Sequence, residues 1–86
     1  MPEICRFYGI VIAMFYDDHN PPHFHARYGK ESVAIDIQSL RVLEGRIPHR
    51  AFGMVVEWAS QHQDELLANW ELAKKNSPPK KIEPLV

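Results

Sequence analysis

The stretch His23-Phe24-His25-Ala26-Arg27-Tyr28-Gly29-Lys30-Glu31-Ser32-Val33-Ala34-Ile35-Asp36 decides the fold. Both of its arms alternate apolar and polar residues, the period of a strand with one buried face. Gly29-Lys30 between them fits a two-residue hairpin turn with glycine at the first central position. That turn predicts a register in which Tyr28 faces Glu31, Arg27 faces Ser32 and Ala26 faces Val33. His25 then faces Ala34, Phe24 faces Ile35 and His23 faces Asp36. Opposed residues share a side of the sheet, so Phe24, Ala26, Val33 and Ile35 collect on an apolar face. His23, His25, Arg27, Ser32 and Asp36 collect on the other. A slip of one residue would mix the two sets, so turn and pattern select the same pairing.

Upstream, Ile4 to Tyr16 is rich in aromatic and β-branched residues and reads as one strand, with Gly9 marking a bulge or a close backbone approach. Asp17-Asp18-His19-Asn20-Pro21-Pro22 is a loop, because two prolines remove donors and Asn20 is pushed out of helical space. Downstream, Leu40 to Glu44 reads as a further short strand ended by Gly45. Pro48 suits the first position of a helix. From His49 to about Lys75, Phe52, Val55, Val56, Ala59, Leu66, Trp70 and Ala73 recur at helical spacing, widened by Leu67. One helix of about 26 residues, about 39 Å long, satisfies this pattern. Two helices with a break between Gln61 and Asp64 satisfy it equally. Asn76-Ser77-Pro78-Pro79 stops the helix, and the tail either packs back through Ile82 and Leu85 or stays loose. The expected fold class is α+β. A small antiparallel three- to four-stranded sheet is packed on one face by a C-terminal long helix or two helices. A single domain over residues 1–86 is expected, with a β-rich half at 1–45, a helical half at 46–76 and a tail at 77–86.

At 86 residues, 45% hydrophobic and 24% charged, the composition is that of a globular domain with one core. A formal net charge of −1 argues against a surface that is basic throughout, leaving nucleic acid only a local patch. Lys74, Lys75, Lys80 and Lys81 form the basic cluster, and lysines there complement a helix C-terminus. The single cysteine, Cys5, excludes an internal disulfide and reads as a small buried hydrophobe. No apolar run nears the roughly 18–20 residues of a membrane span, so no membrane association is expected. Met1-Pro2-Glu3-Ile4 lacks the features of a signal peptide, which makes the cytoplasm the expected compartment.

Of the five histidines, three lie between His19 and His25. On a strand, His23 and His25 project from one face, as two ligands of one ion must. Asp36 across the hairpin is a candidate third ligand, and His19 or Asp17 a fourth. Imidazole with carboxylate suits a divalent transition metal such as zinc, iron, nickel or manganese. The same face also supports metal-free acid–base chemistry, with His23 or His25 as base and Arg27 on a phosphate. A third reading makes the histidines surface or interface residues, one of them bonded to Asp36. Tyr28 and Lys30 at the hairpin end, with Trp58, form a candidate ligand or partner face. Trp58 is expected over the sheet edge or against a partner, whereas Trp70 is expected in the core. Met54, Trp58 and Leu72 fall on a second helical side that suits a dimer or partner seam. His49 is expected in solvent and His62 near the apolar stripe.

These residues carry a family resemblance. Arg6-Phe7-Tyr8-Gly9-Ile10, Asp18-His19-Asn20-Pro21-Pro22-His23-Phe24-His25 and Ala34-Ile35-Asp36-Ile37 resemble the bacterial domain-of-unknown-function family 4160. Val42-Leu43-Glu44-Gly45, Glu57-Trp58-Ala59, Glu65 to Trp70 and Lys80 to Leu85 extend the likeness over essentially the whole chain. His-Asn-Pro-Pro-His-Phe-His is its specific part. The family brings no established activity and hence no catalytic assignments. Its small members are often encoded beside another small protein, and such gene pairs have been suspected to be toxin–antitoxin modules. The resemblance thus implies a module acting with a protein partner encoded nearby, or as a homodimer, through its His-rich polar sheet face. The alternative is a small nuclease or metal-dependent hydrolase built on His23, His25 and Asp36, with Arg27 binding phosphate.

Overall fold

The computed structural model describes residues 2–16 and 18–86. Asp17, considered above as a metal ligand, lies outside the described residues. Five strands run β1 (Glu3–Phe7), β2 (Ile10–Ala13), β3 (His23–Tyr28), β4 (Glu31–Asp36) and β5 (Val42–Gly45). They form an antiparallel sheet in the order β1-β2-β3-β4-β5. The β3–β4 register is the expected one, from Tyr28 opposite Glu31 to His23 opposite Asp36. Phe24, Ala26, Val33 and Ile35 are buried in the main core, as the alternation requires.

The sheet has one strand more than the three to four expected, because Ile4 to Tyr16 is a hairpin and not one strand. Tyr8 and Gly9 form its turn with φ of 48° and 80°. Positive φ at both central positions matches the twist of the flanking strands. Gly9 is therefore a turn residue and not a bulge; the irregularity in β1 lies between Glu3 and Cys5. A tyrosine in left-handed conformation conceals this turn from a reading by composition, since aromatic residues rarely adopt it.

The helical half divides into α1 (His49–Ser60) and α2 (Gln63–Lys74). Gln61 and His62 close α1 by donating their amides to Trp58 and Ala59. His62 then leaves helical geometry, with φ −133° and ψ 24°, and Asp64 and Glu65 supply the acidic first turn that suits a helix N-terminus. The Gln63 side chain donates to the carbonyls of Ile37 and Gln38, tying this corner to the chain after β4.

The break corrects the expectation for Trp58. On one continuous helix Trp58 and Trp70 would diverge by about 120°, but two reoriented helices bury both. Trp58 packs 5.6 Å from Phe7 and 6.1 Å from Phe24, measured between ring centroids. Its indole N–H donates to the Glu83 carbonyl at 2.7 Å. It belongs to the core and presents no partner surface.

That bond also anchors the tail. Asn69, buried among apolar groups, donates to the Lys80 carbonyl and accepts from the Lys80 amide, each at 2.8 Å. The Ile82 amide then donates to Ile4 at 2.9 Å beside β1, and the Ile82 side chain enters the core. The buried polar groups of Asn69 and Trp58 are satisfied by this packed-back segment.

Two glycines give opposite expectations. Gly45 has φ of 78°, and a Cβ there would stand 2.3 Å from the Ser32 carbonyl oxygen. Gly53 lies within α1 with open space around it. Gly45→Ala should destabilise the fold by about 2 kcal/mol or more, and Gly53→Ala should stabilise it by about 0.5–1 kcal/mol. Urea unfolding followed by tryptophan fluorescence checks both signs.

Candidate metal centre

The two sheet faces have different fates beyond β2. Met14 enters the core, and Phe15 crosses the opposite face and stands edge-on to His25, with ring centroids 4.4 Å apart. The chain returns through Pro21 and Pro22, and the Ile37 amide donates to the Pro22 carbonyl beside the start of β3. This return brings Asp18 over His23 and His25.

The Asp18 Oδ2 atom lies 2.9 Å from His23 Nε2 and 3.6 Å from His25 Nε2. Asp18, His23 and His25 each offer one donor atom, and the three donors lie within 4.8 Å of one another. The Pro21 carbonyl, 2.7 Å from His23 Nδ1, can only accept, so Nδ1 carries a proton there. In the neutral ring Nε2 therefore presents its lone pair toward the carboxylate, an arrangement that needs a proton or a cation between them. Asp18 Oδ1 is occupied separately, accepting the His19 amide at 2.9 Å with His19 Nδ1 at 3.1 Å. His25 Nε2 is buried with no hydrogen-bond partner among the described residues. An unpartnered buried polar atom costs about 1–3 kcal/mol unless something fills the position.

Local electrostatics favour the metal-binding forms of Asp18 and His25. Partial burial raises the Asp18 carboxyl, but the His19 amide and the His23 and His25 rings outweigh it and hold Asp18 below its ordinary value of 3.8. Burial and the adjacent His23 push His25 below its ordinary 6.5, against the pull of Asp18 and Glu44. A carboxylate and a neutral imidazole are the states a metal requires. Donors about 2.0–2.1 Å from one ion stand about 2.9–3.4 Å apart for angles between square and tetrahedral. The two Asp18 separations, 2.9 Å and 3.6 Å, lie at and just beyond the ends of that range. The Pro21 carbonyl would orient His23 from behind, as an outer hydrogen bond does for many metal-bound histidines.

Of the residues named from the sequence, the structure brings His23 and His25 together, with exposed His19 beside them on Asp18. Asp36 stands opposite His23 in the register, but its Oδ1 accepts the Gln38 and Ser39 amides at 2.8 Å and 2.9 Å and caps a turn. Asp18 takes the carboxylate position expected of Asp36. Its signal in the sequence is an acidic residue within the loop whose two prolines double the chain back. Arg27 is exposed on the same sheet face, two residues beyond His25. Tyr28 and Lys30 are exposed at the far end of the hairpin, about 17 Å from His23 along the strand, and are not gathered with it. Trp58 is in the core on the other side of the sheet.

The three donors sit in the wall of a cleft of about 510 Å³ that also includes Phe15, Tyr16, Leu43 and Glu44. Phe15, Tyr16 and Leu43 are exposed and give it an aromatic and aliphatic rim. A few polar donors in the wall of an open cleft with an apolar rim are the usual composition of a small-molecule site.

A protein-family model described as "Domain of unknown function (DUF4160)" matches residues 9–71, a span that contains the loop, all three donors and most of both helices. No curated protein and no solved structure matches the chain.

In metal-free protein the depressed His25 makes stability depend on pH. Between its folded value and 6.5 the unfolded chain binds the proton more readily, so stability falls as the pH is lowered through that window. His25→Gln should lack this loss. Asp18 adds a second loss as the pH falls from 3.8 through its folded value, which Asp18→Asn should lack. Urea midpoints measured with a chelator present, from about pH 8 downward, test each window separately.

Proposed function

This chain belongs to the DUF4160 family, and we propose that Asp18, His23 and His25 hold a divalent transition-metal ion at an open centre for hydrolysis. The observation that carries this reading is the buried His25 Nε2, without a hydrogen-bond partner among the described residues, converging with Asp18 Oδ2 and His23 Nε2. Three protein donors leave coordination positions for water and substrate on the cleft side, the arrangement of a catalytic site and not of a closed structural one. An ion bound there would lower the pKa of its water and polarise the bond under attack. Nitrogen and oxygen donors suit zinc, iron, nickel or manganese. Arg27, on the same face, would meet an anionic substrate group, so phosphoesters, including those of nucleic acids, fall within the substrate range.

A second reading, a protein-partner module in a toxin–antitoxin-like pair, is favoured by the edge of the sheet. β5 is an outer strand with exposed Val42 and Leu43, and unpaired strand edges accept partner strands. Growth arrest on expression, relieved by the product of a neighbouring gene, would support that role; no effect in either direction would count against it. Among the described residues no helix is long and apolar enough to cross a membrane.

Elemental analysis of the protein after mild dialysis should find close to one equivalent of a transition metal. Asp18→Ala, His23→Ala and His25→Ala should each lose it, whereas His19→Ala and Asp36→Ala should retain it. Metal at about a thousandfold its Kd should add about 4 kcal/mol to the stability of the wild-type fold. A metal-free wild type that zinc, iron, nickel and manganese all fail to stabilise would remove the metal centre.

A further inference from the structure

We propose that Glu44 is the proton acceptor for the water that reacts at this centre, placed there by a row of side chains running across the sheet. The proposal rests on the metal-centre reading above. The register sets Ala13 opposite His25, His25 opposite Ala34, and Ala34 opposite Glu44. Opposed residues share a face, so Glu44 lies on the side that carries His25. Strands are about 4.8 Å apart, which separates the β3 and β5 backbones by about 10 Å. Ala34, the residue between, projects only a methyl group. The row therefore leaves a gap between an imidazole and a carboxylate, of the width that an ion and its water occupy.

Glu44 lines the same cleft as Asp18, His23 and His25. It is exposed, and it forms no salt bridge among the described residues. Neighbouring carboxylates are otherwise engaged: Glu31 faces Arg46 at 3.8 Å, and Asp36 caps its turn. The Glu44 charge also reaches His25, where it opposes the effect of burial.

In the step proposed, the metal-bound water breaks one O–H bond and gives that proton to a Glu44 carboxylate oxygen. The hydroxide formed attacks the electrophilic carbon or phosphorus of the substrate. Glu44 then returns the proton to the leaving group as its bond breaks. A carboxylate beside a metal-bound water, and not bound to the metal, acts as general base in this way.

Two measurements on the full chain loaded with zinc test the assignment. Competition with a chromophoric chelator should give Glu44→Gln a zinc affinity within about threefold of wild type, while Asp18→Ala loses about 100-fold or more. A crystal structure of the zinc-loaded protein should place a zinc-bound water about 2.6–3.2 Å from a Glu44 carboxylate oxygen. Zinc bound directly by Glu44, or a Glu44 carboxylate turned away from that water, would overturn the proposal. So would a Glu44→Gln affinity as low as that of Asp18→Ala. A wild-type protein that binds no zinc and none of the other three ions would overturn the metal centre itself and Glu44's role with it. That result is distinct from any in which the metal binds and Glu44 is misplaced.

Discussion

The pairing of His23–Tyr28 with Glu31–Asp36 is the constraint on which the rest of the molecule depends. In its register, Phe24, Ala26, Val33 and Ile35 meet the helices while His25, Arg27 and Ser32 face away from them. A slip of one residue would exchange these sets, burying charge and exposing the core. The same pairing puts Ala34 beside His25, and β5 extends the row to Glu44. One register thus separates the hydrophobic face from the face that carries the chemistry.

The opposite sheet face becomes a site through the chain that crosses it. Phe15 shields one side of His25, and the Asp18 loop approaches from above. The Pro21 carbonyl holds His23 in one orientation. His23 also touches Trp70, with ring centroids 5.1 Å apart, so the start of β3 is braced from the helical side as well. Backbone carbonyl, aromatic contact and strand pairing together restrict the two rings, the kind of support a metal centre needs to keep its geometry. Among the described residues, the His25 Nε2 atom is the one buried side-chain polar atom without a hydrogen-bond partner. Buried Asn69, the Trp58 indole and the turn at Asp36 all have their hydrogen bonds.

Legibility followed the range of the interactions involved. The β3–β4 hairpin could be read because alternation and a glycine turn act over neighbouring residues, and both pointed to one pairing. The Tyr8-Gly9 turn is hidden because its flanking residues keep strand-like composition through it, and a tyrosine at positive φ has no compositional mark. The break at Gln61-His62 was one of two open alternatives; apolar periodicity survives across so short an interruption. The burial of Trp58 depends on that break, so a continuous helical pattern does not encode it. In the site, His23 and His25 followed from strand period alone. Asp18 did not, because its place depends on how the proline-containing loop folds back over the sheet.

By itself, then, the sequence determined the α+β class, the hairpin register, the split into apolar and polar sheet faces, and the pair of histidines on one of them. These are consequences of period and turn chemistry, which act over a few residues. Only the tertiary structure decided that Asp18 and not Asp36 joins those histidines, that Trp58 is buried along with Trp70, and that Glu44 shares the row of His25. Each of these depends on the path of a loop, the angle of a helix break or the pairing of a distant edge strand. Such choices are set by packing across the whole domain, and local pattern does not encode them.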